Sequence, residues 1–310
     1  MSLIASLGAI EIGLIFGLVA LGVHLSFRIV NFPDLTVDGS FPLGGAVAAA
    51  LIVAGWNPFA ATALAIVAGA LAGLLTAWLN VKLKIMQLLA SILVMIALYS
   101  VNLRVMGKPN VALISEPTVF SLASFGGIPE AWFKPLLLLV IVGVVKLLLD
   151  LFFASETGLA MRATGGNPRM ARAQGISTDR QTLAGLALSN ALVAFAGALF
   201  VQTQGGADIS MGIGTIVIGL AAVIIGETLL PARSLVLATL ACVLGAVIYR
   251  FFIALALNSD FIGLQAQDLN LVTAVLVAFA LLVPSYRRKL AAMFSARRST
   301  TAAHSPKEAR

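Results

Sequence analysis

The sequence has little charge and almost none of the residues on which disulfide or metal chemistry depends. Charged residues make up 11% of its 310 residues, whereas a soluble domain averages about 25%. There is one cysteine, Cys242, and of the two histidines only His24 lies outside the C-terminal tail. These residues cannot build a disulfide within one chain or a cysteine or histidine metal cluster. We therefore expect no metal site.

Motifs for ATP hydrolysis and metalloprotease chemistry are also missing. The chain contains no GxxxxGK[ST] phosphate loop and no HExxH. We expect that it does not hydrolyse ATP by itself and that it holds no cofactor. Composition leaves a membrane-bound enzyme open, but no nucleophile and base stand out together, so an enzyme is the weaker class.

The sequence is instead rich in long apolar runs, since hydrophobic residues make up 60% of the chain. A helix needs about 20 apolar residues to cross a bilayer. The runs therefore predict an all-α integral membrane protein with about nine transmembrane helices in contact with lipid. They fall near residues 4–27, 41–55, 58–80, 87–104, 134–154, 182–202, 213–230, 234–256 and 269–284.

Basic residues are distributed unevenly between the two sides of this predicted membrane domain. If residues 155–181 lie inside, most of the 20 Lys and Arg residues fall on inside loops or in the tail. Because cytoplasmic loops are enriched in Lys and Arg, we expect the N-terminus outside and the C-terminus in the cytoplasm. Residues 1–286 then form one polytopic transmembrane domain and residues 287–310 a basic, disordered tail near anionic lipid headgroups. This topology explains the net charge of +7, so we expect no nucleic-acid partner.

Residues 155–181, SETGLAMRATGGNPRMARAQGISTDRQ, form a polar interruption between two apolar runs. The stretch carries four Arg residues, each of which costs at least about 2.5–3.5 kcal/mol at a bilayer centre, so it must lie in water. Asn167 is a good N-cap, Pro168 suits the first helical position, and Gly175 suits a left-handed residue just after a helix. One short helix, residues 168–174, is predicted.

A second helix is predicted to follow it. Thr178 and Gln181 have capping-box spacing, so we expect the next apolar helix to start there. An ordinary basic cytoplasmic loop is the alternative interpretation of the whole 155–181 stretch, because positive-inside bias alone explains its charge.

Residues 33–45, PDLTVDGSFPLGG, interrupt the apolar pattern after the first run. Asp34, Thr36 and Asp38 lie between two prolines and predict a broken helix near residues 30–41. Irregular backbone at membrane depth is tolerated only against protein or a water-filled cavity. A simple cytoplasmic turn is the alternative.

Residues 33–52 align without gaps with residues 207–226, and the alignment matches Asp34 with Asp208. In the predicted topology the two segments enter the membrane from opposite sides. This is typical of an inverted repeat whose interrupted helices line a substrate path. Chance similarity between two Gly- and Ala-rich segments is the alternative. The candidate path residues are Asp34, Thr36, Asp38 and Asp208.

Two spacings predict contacts between helices or along one helix. Gly13 and Gly17, and Gly69 and Gly73, have the GxxxG spacing that lets backbones approach closely. We favour packing within the chain over a dimer face for both pairs. Lys146 and Asp150 lie four residues apart and predict an ion pair on one helix face.

Three stretches resemble ABC importer permeases of the branched-chain amino acid and ribose type. Residues 158–200, GLAMRATGGNPRMARAQGISTDRQTLAGLALSNALVAFAGALF, resemble their cytoplasmic loop and following helix. Residues 33–49, PDLTVDGSFPLGGAVAA, resemble the broken-helix motif of the ribose-type members, and residues 212–234, GIGTIVIGLAAVIIGETLLPARS, their late hairpin. The similarity extends from Gly13 to Pro284.

Two residues depart from the pattern of the sugar permeases. Asp38 is inserted into the usual DLSVGS-like motif, and Pro42 follows it. In this respect the chain looks closer to the branch for which tryptophan or other aromatic amino acids have been proposed as substrates.

The resemblance implies a permease subunit of an ATP-driven importer for a small amino acid-like solute. It implies a separate ATPase that carries ATP and Mg, and whose groove receives the loop helix 168–174. It also implies an extracytoplasmic binding protein that delivers substrate to the outer loops, chiefly residues 105–133, and a second permease subunit, expected to form a homodimer. The residues that the resemblance assigns to ATPase docking or to shaping the loop are Glu156, Gly158, Arg162, Ala163, Gly165, Asn167, Ala171, Gly175 and Ile176. A secondary transporter or channel that works without an ATPase is the alternative.

Overall fold

The computed structural model describes residues 3–123, 130–230 and 234–257, together with residues 274, 275 and 278. The described chain is a helical bundle with one two-stranded ladder. The helices are α1 (Leu3–His24), which continues into a π-helical turn (Leu25–Ile29), α2 (Val37–Val53), α3 (Pro58–Val81), α4 (Gln87–Met106), α5 (Val119–Leu122), α6 (Glu130–Ala154), α7 (Glu156–Gly166), α8 (Pro168–Ala173), α9 (Thr178–Gln204), α10 (Thr215–Leu229) and α11 (Leu235–Leu257). Strands β1 (Asn110–Ala112) and β2 (Gly206–Asp208) pair antiparallel.

Six of these helices are long and apolar enough to cross a bilayer, namely α1 with its π-helical turn, α3, α4, α6, α9 and α11. The predicted runs at α2 and α10 are apolar helices of only 17 and 15 residues. At 1.5 Å per residue both are shorter than the roughly 30 Å hydrocarbon core. The ninth predicted run, residues 269–284, lies outside the described residues except for 274, 275 and 278, and the tail 287–310 lies wholly outside them.

The first helix is interrupted where the sequence predicts. Helical backbone stops after Ile29 and resumes at Val37, and Asn31 in between has a φ of +57°. The interruption is confirmed, at residues 30–36, but a turn between two helices would also contain it, so the broken helix near residues 30–41 stays a prediction.

Helix α9 lies at the centre of the bundle, where it packs against α1, α2 and α3. At two points of its crossing with α2 the backbones leave no room for a side chain. A Cβ added at Gly44 would lie 1.9 Å from the carbonyl oxygen of Ala194, and one at Gly197 would lie 1.9 Å from that of Phe41. Only glycine fits at either position.

Both GxxxG pairs pack within the chain, as predicted. Gly69 and Gly73 of α3 face α9, and a Cβ at Gly73 would lie 2.1 Å from the carbonyl oxygen of Leu186. Gly13 and Gly17 of α1 face α11, with a Cβ at Gly13 only 2.8 Å from the Cα of Val247.

The predicted ion pair on α6 is also present. Lys146 Nζ lies 2.5 Å from Asp150 Oδ2, and the Thr239 hydroxyl of α11 donates to Asp150 Oδ1 at 2.7 Å. Because the pair sits among apolar side chains, this third partner helps to satisfy the carboxylate and joins α6 to α11.

Candidate functional site

Two helices, not one, occupy the polar stretch 155–181. Helix α7 runs through Glu156–Gly166 and is capped by Ser155, whose side-chain oxygen accepts from the Gly158 N–H at 3.3 Å. This helix was not predicted from the sequence, because its last two residues, Gly165 and Gly166, are poor helix formers. A usable signal was present, since Ser155 followed by the acidic Glu156 is a typical helix start.

Helix α8 has the caps that the sequence predicts. Asn167 Oδ1 accepts from the Met170 N–H at 3.1 Å, and Pro168 is the first helical residue. Gly175 follows the helix with a φ of +82°. The Ile176 N–H donates to the Ala171 carbonyl oxygen at 3.0 Å, which completes a Schellman motif.

The predicted capping box at the start of α9 is wrong. The helix does start at Thr178, but its N-cap is Ser177, which makes no side-chain capping bond. The Thr178 hydroxyl instead accepts from Arg172 Nε at 2.8 Å. This contact between two helices takes the oxygen that a local cap would have used, and it ties α8 to the first turn of α9.

Close backbone contacts hold α7 against the membrane bundle. A Cβ added at Gly165 would lie 1.9 Å from the carbonyl oxygen of Ile29, at the end of the π-helical turn. One at Gly158 would lie 2.3 Å from the carbonyl oxygen of Phe152. Met161, which is 1% exposed, lies in the same core cluster as Ile29. The segment is therefore a fixed extension of the bundle.

Two of the candidate path residues are fully buried in a polar cluster that joins α2, α3 and α9. Asp34 Oδ1 accepts from the Thr36 N–H at 3.0 Å, and Asp34 Oδ2 accepts from Asn190 Nδ2 at 2.6 Å. The hydroxyls of Thr36 and Thr76 lie 2.8 Å apart, and Ser40 donates to Asn190 Oδ1 at 2.7 Å. All five side chains are 0% exposed, so this cluster holds the irregular segment between α1 and α2 from inside.

Asp38, by contrast, is half-buried and caps the N-terminus of α10. Its Oδ1 accepts from the Ile216 N–H at 2.7 Å and its Oδ2 from the Gly214 N–H at 3.3 Å. The backbone before α10 also lies against α2, because a Cβ at Gly212 would lie 2.1 Å from the Asp38 carbonyl oxygen. The two segments that align in sequence thus meet where both short helices begin.

Asp208 lies apart from these residues, at the end of β2. Its Oδ2 accepts from Asn110 Nδ2 of β1 at 3.2 Å, and its Oδ1 accepts from the Ser210 N–H at 2.7 Å. Asp34 makes the same bond to the residue two positions on, so the aligned aspartates share a local turn. Whether the two segments are an inverted repeat stays a prediction.

A cavity of 440 Å³ opens beside Asp38 along the exposed side of α4. Tyr99 and Ile96 of α4 are 57% and 61% exposed there, and Ile213 is 77% exposed. The residues that line the cavity are Asp38, Gly39, Pro42, Met95, Ile96, Tyr99, Ser100, Asn102, Ile209 and Ile213.

Comparison with known proteins decides the family. A family model described as "Branched-chain amino acid transport system / permease component" matches residues 7–284. The chain belongs to this permease family. Together with its six apolar helices, membership makes it a multi-pass protein of the inner membrane and a permease component of the ABC import type.

Two curated relatives and one solved structure illustrate the range of similarity to this permease. The "Tyrosine transport system permease protein" of Clostridioides difficile (strain R20291) is 40% identical over 85% of this chain and 86% of its own. The "Ribose import permease protein RbsC" of Escherichia coli (strain K12) is 27% identical over 82% and 78%. The structure described as "PsaBC from Streptococcus pneumoniae in complex with Fab" covers 89% of each chain at 14% identity and a TM-score of 0.49.

The predicted docking residues of the permease divide into two groups. Glu156, Arg162, Ala163, Asn167 and Gly175 are exposed, whereas Gly158, Gly165, Ala171 and Ile176 are buried or half-buried. The first group faces solvent, and Gly158 and Gly165 of the second lie against the bundle.

Two exposed apolar residues of this segment are not among the predicted docking residues. Leu159 and Met170 are 52% and 61% exposed, on a part of the permease that its arginines place in water. The sequence did contain a signal for them, since apolar residues among arginines in a stretch that lies in water indicate a contact surface. We call the exposed set Leu159, Arg162, Ala163, Arg169 and Met170 the α7–α8 surface.

Proposed function

We propose that this permease forms the substrate path of an ATP-driven importer and is coupled to a separate ATPase subunit through α7 and α8. The observation that carries the proposal is the construction of α8. It is capped at both ends, and it is tied to the central helix α9 by the bond between Arg172 and Thr178. A loop without a mechanical role needs neither feature.

The α7–α8 surface has the chemistry of a protein docking site. Leu159 and Met170 offer apolar area, and Arg162 and Arg169 surround it with positive charge. Interfaces of this kind are anchored by Met, aromatic and Arg side chains. ATP and Mg²⁺ would be bound by the ATPase, whose closure would move α7 and α8 as one body with the bundle.

In the proposed orientation α7 and α8 lie in the cytoplasm, the N-terminus lies outside, and the C-terminus lies inside. The β1–β2 ladder then lies at the outer face, where an extracytoplasmic binding protein would deliver substrate. The excess of Lys and Arg on the inside loops supports this assignment.

A second copy of the chain is proposed as the partner in the membrane. Tyr99, Ser100 and Asp38 lie on an otherwise apolar face beside the 440 Å³ cavity. Polar groups at membrane depth are expensive against lipid and are found facing protein or water. A homodimer would cover this face and bring two such cavities together.

An aromatic amino acid is the first candidate for the substrate. The relative at 40% identity is named as a tyrosine permease, and Asp38 and Pro42 depart from the ribose-type pattern. An amino acid also offers the ammonium group that a carboxylate in an apolar cavity would attract.

The double substitution Arg172→Glu with Gly175→Pro tests the coupling. Proline cannot adopt the φ of +82° found at Gly175, and it lacks the backbone N–H that Gly175 donates to the Arg172 carbonyl oxygen. Tagged protein is purified from detergent-solubilised native membranes, and associated chains are identified by mass spectrometry. We expect an ATPase to co-purify with the unchanged protein and to be lost from the variant, while membrane insertion is retained.

Gly55→Pro is the matched control, because Gly55 also has a φ of +82° but lies in the connection between α2 and α3 at the other end of the bundle. Its ATPase should stay bound. If the unchanged protein comes out alone, coupling is overturned and a gradient-driven transporter becomes the leading account.

A further inference from the structure

The cavity beside Asp38 has an acidic group in its lining and no basic group opposite it among the described residues. Among the described residues that line it there is one acidic side chain and no Lys, Arg or His. Within the described ranges the Asp38 carboxylate forms no ion pair, and its charge is offset only by the N-terminus of α10, through the N–H groups of Gly214 and Ile216. A carboxylate has about four acceptor positions, so it retains capacity for further donors.

A second acceptor in the same cavity has its orientation fixed. Asn102 of α4 is 1% exposed, and its Nδ2 donates to the Gly39 carbonyl oxygen at 3.2 Å. That bond assigns Oδ1 as the other amide atom, and no donor in the described part of the chain reaches it. A buried acceptor left without a donor is costly, and a donor from a bound ligand is one way to satisfy it.

The remaining lining of the cavity is apolar or aromatic. Met95, Ile96, Ile209 and Ile213 supply hydrocarbon, and Tyr99 supplies an exposed ring. Small-molecule sites combine such a lining with a few convergent polar groups, in volumes of about 300–1,000 Å³. The 440 Å³ cavity has this composition.

We propose that this cavity binds the primary ammonium group of the transported compound, with Asp38 and Asn102 as acceptors and Tyr99 against its side chain. The proposal rests on the import function proposed above and specifies its substrate class. An ammonium group carries three donors and a positive charge, and so satisfies both the Asp38 carboxylate and Asn102 Oδ1. A compound that offers a carboxylate without an ammonium group is repelled by the Asp38 carboxylate and does not bind. Asn102 and Tyr99 are thereby assigned as specificity-determining residues.

The single cysteine of the chain makes a direct test practical. Cys242 is buried, so Cys242→Ala gives a background in which Ser100→Cys places the only thiol of the permease at the exposed rim of the cavity. The permease is purified with whatever subunits accompany it, and labelling by the uncharged reagent hydroxyethyl methanethiosulfonate is timed. Tyramine has the ammonium group without a carboxylate, and 3-(4-hydroxyphenyl)propionate has the carboxylate without the ammonium group.

We expect tyramine at ten times its Kd to slow the labelling about tenfold, and the propionate to leave the rate unchanged. At the same tyramine concentration, Asp38→Asn and Asn102→Leu should each remove most of the protection. Asn80→Leu is the matched control. Asn80 lies outside this cavity and donates to the Ile85 carbonyl oxygen instead, so protection should persist. Elution at the position of the unchanged protein in size-exclusion chromatography shows that a variant is folded. Two variants keep the test decisive if one of them fails to fold.

Equal protection by the two probes, no protection by tyramine, or full protection in both variants would overturn the ammonium site. The result is separable from the import function. An ATPase that co-purifies with a permease unprotected by tyramine overturns the ammonium site alone. Protection by tyramine without a co-purifying ATPase overturns the importer and supports the site.

Discussion

The carboxylate of Asp38, in the first turn of α2, accepts the backbone N–H of Ile216, in the first turn of α10, at 2.7 Å. The two residues are 178 positions apart. Each belongs to a helix too short to cross the membrane by itself, and the bond joins the two helices where they begin. Asp38 thus has two roles: it caps α10 and it supplies the charge of the adjoining cavity.

Removing this cap should destabilise the permease. We expect Asp38→Ala to lower the free energy of unfolding by about 0.5–2 kcal/mol, the usual cost of losing an N-cap. Asp38→Asn should cost less, because its amide oxygen still accepts one N–H. Thermal unfolding of the purified protein in detergent checks the order, and equal losses for the two variants would contradict it.

The buried pair of Asp34 and Asn190 should behave as a coupled unit. Asp34→Ala and Asn190→Ala each leave a buried partner without its hydrogen bond, which we expect to cost about 1–3 kcal/mol, and more where the carboxylate is the group left behind. The double variant should lose less than the sum of the two. A double-mutant cycle measured by chemical unfolding decides the point, and strict additivity would show that the contact contributes nothing.

The close approach of α7 to the π-helical turn predicts a sharp difference between two adjacent glycines. A Cβ at Gly165 would lie 1.9 Å from the Ile29 carbonyl oxygen, whereas one at Gly166 meets nothing within 4 Å. We expect Gly165→Ala to displace α7 at a cost of about 1–3 kcal/mol and to reduce both ATPase association and substrate uptake.

Gly166→Ala is the control for that substitution and should leave both properties unchanged. Measurements in native membranes, normalised to the amount of permease, compare the two. If the two variants behave alike, the contact between Gly165 and Ile29 does not position α7 and α8.

Packing between α3 and α9 offers a test of the bundle that does not depend on function. A Cβ at Gly73 would lie 2.1 Å from the Leu186 carbonyl oxygen, while Gly143 on α6 has open space around it. Gly73→Ala should therefore lower the midpoint of thermal aggregation, and Gly143→Ala should leave it unchanged or raise it slightly through better helix propensity. A similar midpoint for both would show that α3 and α9 separate more readily than the structure indicates.

Local signals explain which parts of the candidate site could be predicted from the sequence. The caps of α8 depend on residues within a few positions of each other, so Asn167, Pro168 and Gly175 carried enough information. Thr178 did not, because its hydroxyl bonds Arg172 of another helix. A contact between helices overrode a correct local spacing.

The interruption between α1 and α2 shows the same division. Its position was predictable from two prolines and the polar residues between them. Its partners were not, since Asn190 lies 156 residues from Asp34. Asn102, on α4, was not predicted as a site residue, because a single Asn in an apolar run belongs to no recognisable motif. The run lengths did predict apolar helices at α2 and α10. Both helices are too short to cross the membrane alone, and the contact at Asp38 that joins them is between residues far apart in the sequence.

Helix α9 runs unbroken from Thr178 to Gln204 and is hydrogen-bonded to other elements near both ends. Its first turn holds Arg172 of α8 through Thr178. Near its last turn Gln202 accepts the N–H of Val119, at the start of α5, at 2.9 Å, and donates to the Thr62 hydroxyl at 3.0 Å. The helix has 27 residues and so is about 40 Å long. In the proposed importer, a lever of this length would carry a tilt imposed by the ATPase directly to the outer loop that meets the binding protein, with no chain of side chains needed to relay it.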